Sequence, residues 1–280
     1  MASQGSDKES QEFPRPTRLL SPELPHEKAH LWRAGEWAGQ EGECQMQLLG
    51  DRAYWGSVCE ERHVEDGEYQ AAALRAHPEG AFGAQVEAAG LKARLVEDGY
   101  FQVPARRLAL RDSPADLYSS LADSVARLMQ LGWPASFFVV FDEAWELARH
   151  CADLVEKTSG GNRNNLDILL WYIDPNRDQS GFAPHRDRQP ADSPASFRQA
   201  DGTPMYATCW LPFTDACSDN SCLFVLPKWA DPGYHEGDPD DSLRTPLEIA
   251  LASKEDFQNI RCLAAPAGSA CVFSHRTFLL

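Results

Sequence analysis

The chain has 280 residues and a mass of 31.1 kDa, enough for one large domain or two small ones around a substantial core. Its 26 Lys and Arg stand against 42 Asp and Glu, a net charge of −16 without a basic stripe. That balance excludes the counterion-displacing surface that nucleic acid or an anionic membrane requires. No apolar run of about 18 residues could span a bilayer, the segment 1–14 lacks an apolar signal region, and an intracellular, cytoplasmic setting is expected.

Residues 1–27, rich in Ser, Glu, Pro and Gln, read as a disordered tail. Residues 28–110 have poor periodicity and read as an irregular, partly helical cap, with one short strand at 99–104. Ser113-Pro114-Ala115-Asp116 is a helix start, with a serine cap, a proline at the first position and a carboxylate in the first turn. Leu117, Leu121, Val125 and Leu128 continue at helical spacing, and Gly132 closes the helix. The run Phe137-Phe138-Val139-Val140-Phe141 reads as a strand. It leads into a second helix with Trp145, Ala148, Cys151 and Val155 on one face.

Beyond Asn165 the period changes from helix to strand. Apolar runs at 166–173, 206–211, 222–226, 260–263 and 270–273 are separated by Pro, Gly, Asp and Asn clusters. Helices first and short strands afterwards predict an α+β protein with a jelly-roll core over 111–280. The eight cysteines form no CxxC pair, and Cys209, Cys222 and Cys271 within apolar runs read as buried free thiols.

The informative segment is Gly181-Phe182-Ala183-Pro184-His185-Arg186-Asp187. On an extended segment His185 and Asp187 point to the same side, which supplies two of the three ligands of a 2-His-1-carboxylate iron site. Alone the triplet is weak, since a surface His-Asp pair arises often by chance. A metal-dependent hydrolase built on it would need a second His, Asp or Glu cluster, and the sequence has none.

Two later runs follow at a distance suited to the next strands: Ala207-Thr208-Cys209-Trp210, then Asp219-Asn220-Ser221-Cys222-Leu223-Phe224-Val225-Leu226-Pro227. Together with His185-Arg186-Asp187 they resemble the phytanoyl-CoA dioxygenase family, as do Phe141-Asp142-Glu143-Ala144-Trp145 and Leu170-Trp171-Tyr172-Ile173-Asp174-Pro175. The resemblance implies a double-stranded β-helix (jelly-roll, cupin-like) core with flanking helices. It also implies an Fe(II)/2-oxoglutarate-dependent dioxygenase that hydroxylates a small organic or acyl substrate.

The same resemblance makes His185 and Asp187 iron ligands and Trp210 a candidate wall of the 2-oxoglutarate pocket, with a core tryptophan as the plain alternative. Arg186 and Arg188 flank the ligands and could meet an anionic substrate, the plain alternative being two solvated loop arginines. The family's second histidine should fall at Leu279. His275 has the same parity but lies roughly 13 Å away on an unbroken strand, so it enters only as a weak third-ligand candidate. The family's basic anchor for the far carboxylate would lie beyond the last residue given. These departures predict a chain that lacks a ligand and an anchor. Its affinity for iron would be poor, its apolar end Phe278-Leu279-Leu280 would sit exposed at an open sheet edge, and the soluble chain would tend to aggregate. The alternative function is a catalytically inactive truncated homologue that acts as a binding module.

Overall fold

The structure, a computed structural model, describes residues 48–76, 85–104, 114–165, 167–173, 181–190, 196–220, 222–238 and 244–280. The tail 1–27 lies outside the described residues, as does Ser113 of the helix start. The chain is a mixed helix-and-sheet protein in which helices α1 (Arg52–Val58), α2 (Gly67–Ala76) and α3 (Gln85–Glu97) precede strand β1 (Tyr100–Val103). Then follow α4 (Pro114–Gln130), a 3-10 helix at Ala135–Val140 and α5 (Asp142–Ser159). The remainder carries β2 (Ala207–Trp210), β3 (Leu223–Leu226), α6 (Pro246–Ala250), β4 (Arg261–Leu263), β5 (Ala270–Ser274) and β6 (Phe278–Leu279). No helix among the described residues is long and apolar enough to cross a membrane.

Among the described residues the strands form two antiparallel three-stranded sheets, ordered β1-β5-β2 and β4-β3-β6. Side chains alternate across a strand, so each sheet has two distinct faces. On the first sheet Phe101, Val103, Ala270 and Val272 face Leu95 of α3 and Leu154 of α5. The opposite face presents Cys271 and Phe273, with Tyr100 and Trp210, to Val225, Leu263 and Leu279 of the second sheet. The outer face of the second sheet, Leu226 and Phe278, is covered by Ala250 and Leu251. Helices, sheet, sheet and a small helical cover thus stack in layers.

The helical layer follows from its spacing. Leu121, Val125 and Leu128 are buried on one face of α4 and meet Trp55, Trp133, Phe138 and Phe141. The helix stops where Gly132 takes a positive φ of 86°, a conformation that favours glycine, and Trp133 N–H returns to Leu128 O at 2.9 Å.

Three expectations fail here, each for a physical reason. The run 137–141 is no strand. Residues 137–140 belong to the 3-10 helix and Phe141 follows as its extended cap, with Phe138 and Phe141 both in the helical core. The run 167–173 pairs with no described strand: Leu170 packs on the helical cluster, Trp171 rests on Phe182 at 4.3 Å between ring centres, and Leu169 is exposed. Finally, α5 leaves Trp145 exposed and buries Ala144, Leu147 and Leu154 together with Asp142, Glu143, Glu146 and His150. Donors to these carboxylates come from α2 and the turn before it. Asp142 accepts from Asp66 N–H at 2.7 Å and Gln70 Nε2 at 2.8 Å, Glu143 contacts His63 Nδ1 at 2.8 Å, and Glu146 accepts from Tyr69 OH at 2.5 Å.

The chain end is also unlike the expectation. Residues 275–277 form a turn that breaks the supposed single strand and carries the chain from the first sheet into the second. Phe278 and Leu279 are buried, and Leu280 N–H donates to Phe224 O at 2.9 Å. The apolar residues expected to be uncovered lie within packed structure. Gly99, at a positive φ of 86°, admits this crossing closely: its carbonyl accepts from Ser274 N–H at 2.8 Å and from Thr277 Oγ1 at 2.9 Å.

Candidate functional site

His185 forms an isolated antiparallel bridge with Leu279, its N–H to Leu279 O at 3.0 Å and Leu279 N–H to its own carbonyl at 2.8 Å. Residues that exchange both bonds point to the same face. Leu279 faces the inter-sheet core, so His185 points to the same space at its open end, with its side chain 36% exposed. Asp187, two residues on, shares that side, and its Oδ1 lies 3.5 Å from His185 Nε2. Its other oxygen accepts from the hydroxyl of Thr208 on β2. The pair is therefore tied to both sheets, through the Leu279 bridge on one side and Thr208 on the other.

The imidazole is oriented for ligation. His185 Nδ1 lies 2.7 Å from Ala183 O and can donate to it, which leaves Nε2 with its lone pair toward the Asp187 carboxylate. The carboxylate contact, then the Ala183 carbonyl, raise the His185 pKa above its ordinary value, against the effect of burial. Two acceptors in such proximity favour a shared proton or a cation between them. Metal bonds of about 2.0–2.2 Å at right angles place neighbouring donor atoms about 3 Å apart, close to the separation here.

Among the described residues no third metal donor is grouped with the pair. The residue across from His185 and on its face is Leu279, whose hydrocarbon side chain donates no electron pair to a metal. Among the described residues no group of three or more His, Cys, Asp and Glu is placed to hold an ion. His275 as third ligand is corrected accordingly. It sits in the turn between the sheets, its N–H bonded to Tyr206 O at 3.2 Å and its Nδ1 2.9 Å from the same oxygen. Its ring is buried against Phe197 and Tyr206, and burial pushes its pKa down to about 4. Among the described residues, His185 and Asp187 thus bring together one imidazole and one carboxylate, with no third His, Cys, Asp or Glu grouped with them.

Arg186 is also corrected, because it belongs to the scaffold rather than to a substrate-facing loop. Side chains alternate, so it points away from the His185–Asp187 side and into the protein. Its side chain is 1% exposed, and it forms a two-pronged ion pair with Asp231 while Nε–H donates to Asp238 Oδ1 at 2.8 Å. Nη1 also donates to Arg276 O at 2.8 Å, and the guanidinium lies 4.8 Å from the Phe278 ring centre. Gly233 is required beside it, since a Cβ there would come within 3.1 Å of the Arg186 Cζ.

Arg188, by contrast, is half-buried, with its guanidinium 4.5 Å from the ring centre of the exposed Tyr206. Tyr206 lies two residues before Thr208, the residue that donates to Asp187. Trp210 is partly buried against the inter-sheet core. Phe182 stands exposed 5.4 Å from the His185 ring and shares the rim. Thr208 is the residue that sequence reasoning missed: it lies in a quoted motif, two positions before Trp210 on the same face, and that alternation was the available signal.

No protein-family pattern matches the chain, and no curated protein matches it. Among solved structures the chain is similar to the non-haem α-ketoglutarate-dependent epimerase SnoN from nogalamycin biosynthesis, at 18% identity and a TM-score of 0.38. That alignment covers 70% of this chain and 76% of the other. SnoN in complex with Fe3+, α-ketoglutarate and nogalamycin RO gives 18% identity and a TM-score of 0.40, over 70% and 77% of the two chains. Likeness at these scores assigns neither fold nor chemistry, and the resemblance to phytanoyl-CoA dioxygenases rests on the quoted motifs alone.

Proposed function

We propose that the chain is an iron(II)/2-oxoglutarate dioxygenase-like protein with a jelly-roll core. His185 and Asp187 hold the metal at the open end of the two facing sheets, where a small organic or acyl substrate enters. The observation that carries this reading is the convergence of an oriented imidazole and a carboxylate, anchored to opposite sheets and 3.5 Å apart, at the mouth of an apolar interior. In this reading Trp210 lines the co-substrate side, and Arg188, presented on Tyr206, meets the carboxylate of 2-oxoglutarate or an anionic substrate group. Arg186 has no such role, because its donors are spent on Asp231, Asp238 and Arg276 O.

Leu279 favours a second reading, a catalytically inactive homologue acting as a binding module. With a hydrocarbon in the third ligand's place, no hydroxylation step is assigned to the metal. The test is anaerobic titration with Mn(II) and Fe(II), with and without 2-oxoglutarate, alongside His185→Ala and Asp187→Ala. The expected result is weak binding that 2-oxoglutarate strengthens and that either substitution abolishes. Equal binding by wild type and both variants would refute the metal pair. Release of succinate by the wild type in air would decide for an enzyme over the binding module.

A further inference from the structure

We propose that Cys222 and Cys262 are a covalent modification site, closing reversibly to a disulfide when the protein meets a low-molecular-weight disulfide such as oxidised glutathione. The two Sγ atoms lie 3.2 Å apart in the reduced chain. A disulfide bond of about 2.05 Å needs an approach of only about 1 Å more. The register explains the proximity. Phe224 pairs with Cys262 and Leu223 with Leu263, so the side chain of Cys222, two positions before Phe224, shares a face with Cys262 across the β3–β4 ladder.

The two thiols differ in the way a disulfide exchange requires. Cys262 is exposed and open to a solute, whereas Cys222 is buried beside it. Burial first, and then the neighbouring Cys262, push the Cys222 thiol up to about 12, so Cys262 is the first nucleophile. Its thiolate attacks one sulfur of the oxidant, forms a mixed disulfide and releases one thiol. The Cys262 contribution to the raised pKa then disappears. Cys222 loses its proton to solvent, attacks the Cys262 sulfur and expels the second thiol. The two protein thiols are oxidised by two electrons, and one small disulfide is reduced to two thiols.

The bond would tie the central strand β3 to the edge strand β4. On its other side β3 carries β6, whose Leu279 bridges His185. Cys217, exposed in the preceding turn, is the competing partner, since its carbonyl accepts from Cys222 N–H at 3.1 Å.

The experiment incubates the full chain with oxidised glutathione, blocks remaining thiols, and combines intact mass with non-reducing peptide mapping. The expected product has lost two hydrogens, retains six of its eight thiols, carries a Cys222–Cys262 linked peptide and melts several degrees higher. Dithiothreitol should reverse all of these. Cys222→Ser should instead retain glutathione on Cys262, and Cys217→Ser should behave as wild type. A stable glutathione adduct on wild-type Cys262, or a Cys217–Cys262 peptide in place of the predicted one, would overturn the proposal. Because the wild-type chain carries the decisive readout, a variant that fails to fold leaves the test intact.

Discussion

The segment 185–187 has two sides, and they contrast sharply. On one side Arg186 is enclosed, ion-paired to Asp231 and Asp238 and bonded to Arg276 O. On the other, His185 and Asp187 are partly solvated, held by Thr208, Ala183 O and the Leu279 bridge. One side fixes the backbone so that the other can present donor atoms. Burying a charge is costly unless it is fully paired, and here the pairing is complete only on the inward side. Adjacent residues in one motif therefore have unlike surroundings, one enclosed and ion-paired and the others partly solvated.

The largest expected effect tests that division. Arg186→Met leaves Asp231 buried without its cation and should lower unfolding stability by about 3–5 kcal/mol, measured by chemical denaturation. Asp187→Ala should change stability by less than about 1 kcal/mol while abolishing metal binding. Equal stability losses in the two variants would break the comparison.

Next in size is an acid effect beside the site, at His275. Burial holds its folded pKa at about 4, below the ordinary 6.5, with Arg276 and Arg188 reinforcing and the Tyr206 carbonyl and Asp187 opposing. The unfolded chain then binds the extra proton between these values. Stability is full above pH 6.5 and falls as the pH drops toward 4, by at most roughly 3 kcal/mol from this group. His275→Gln should flatten the melting temperature across that window. Unchanged acid sensitivity in the variant would place the proton elsewhere.

Leu279→His sharpens the comparison from the open side. It puts an imidazole across from His185 on the same face and should tighten Mn(II) binding at least about ten-fold by titration. The polar ring replaces a buried leucine, so a stability loss of about 1–3 kcal/mol should accompany the gain. The smallest effect is expected from Thr208→Val, which removes the donor to Asp187. Metal affinity should fall a few-fold, with stability changed by about 1 kcal/mol or less.

Local pattern made much of this legible. Strands β2, β3 and β4 lie within the apolar runs at 206–211, 222–226 and 260–263, and β5 runs one residue past 270–273, because strand periodicity and turn residues are written within a few positions. His185 and Asp187 share a side for the same reason: an alternation of two needs no partner to be inferred. The motif led to the expectation of a third donor's position at Leu279, and the structure pairs Leu279 with His185 across an isolated bridge.

What the residues alone could not determine depends on partners far away in the chain. Arg186 reads as a loop arginine until Asp231 and Asp238, 45 and 52 positions later, close around it. An unbroken strand from the 270–273 run to Leu279 fits the local pattern, and the structure instead turns at 275–277 between pairing with β2 and pairing with β3. The burial of Asp142, Glu143 and Glu146 has no local sign, since their donors come from α2 and the turn before it. The sequence by itself determined which residues could ligate a metal and that two of them share a side. Tertiary structure decided which side was open, which charge was buried and where the chain changed sheets. Pairing and desolvation energies belong to groups brought together in space, and no local period records them.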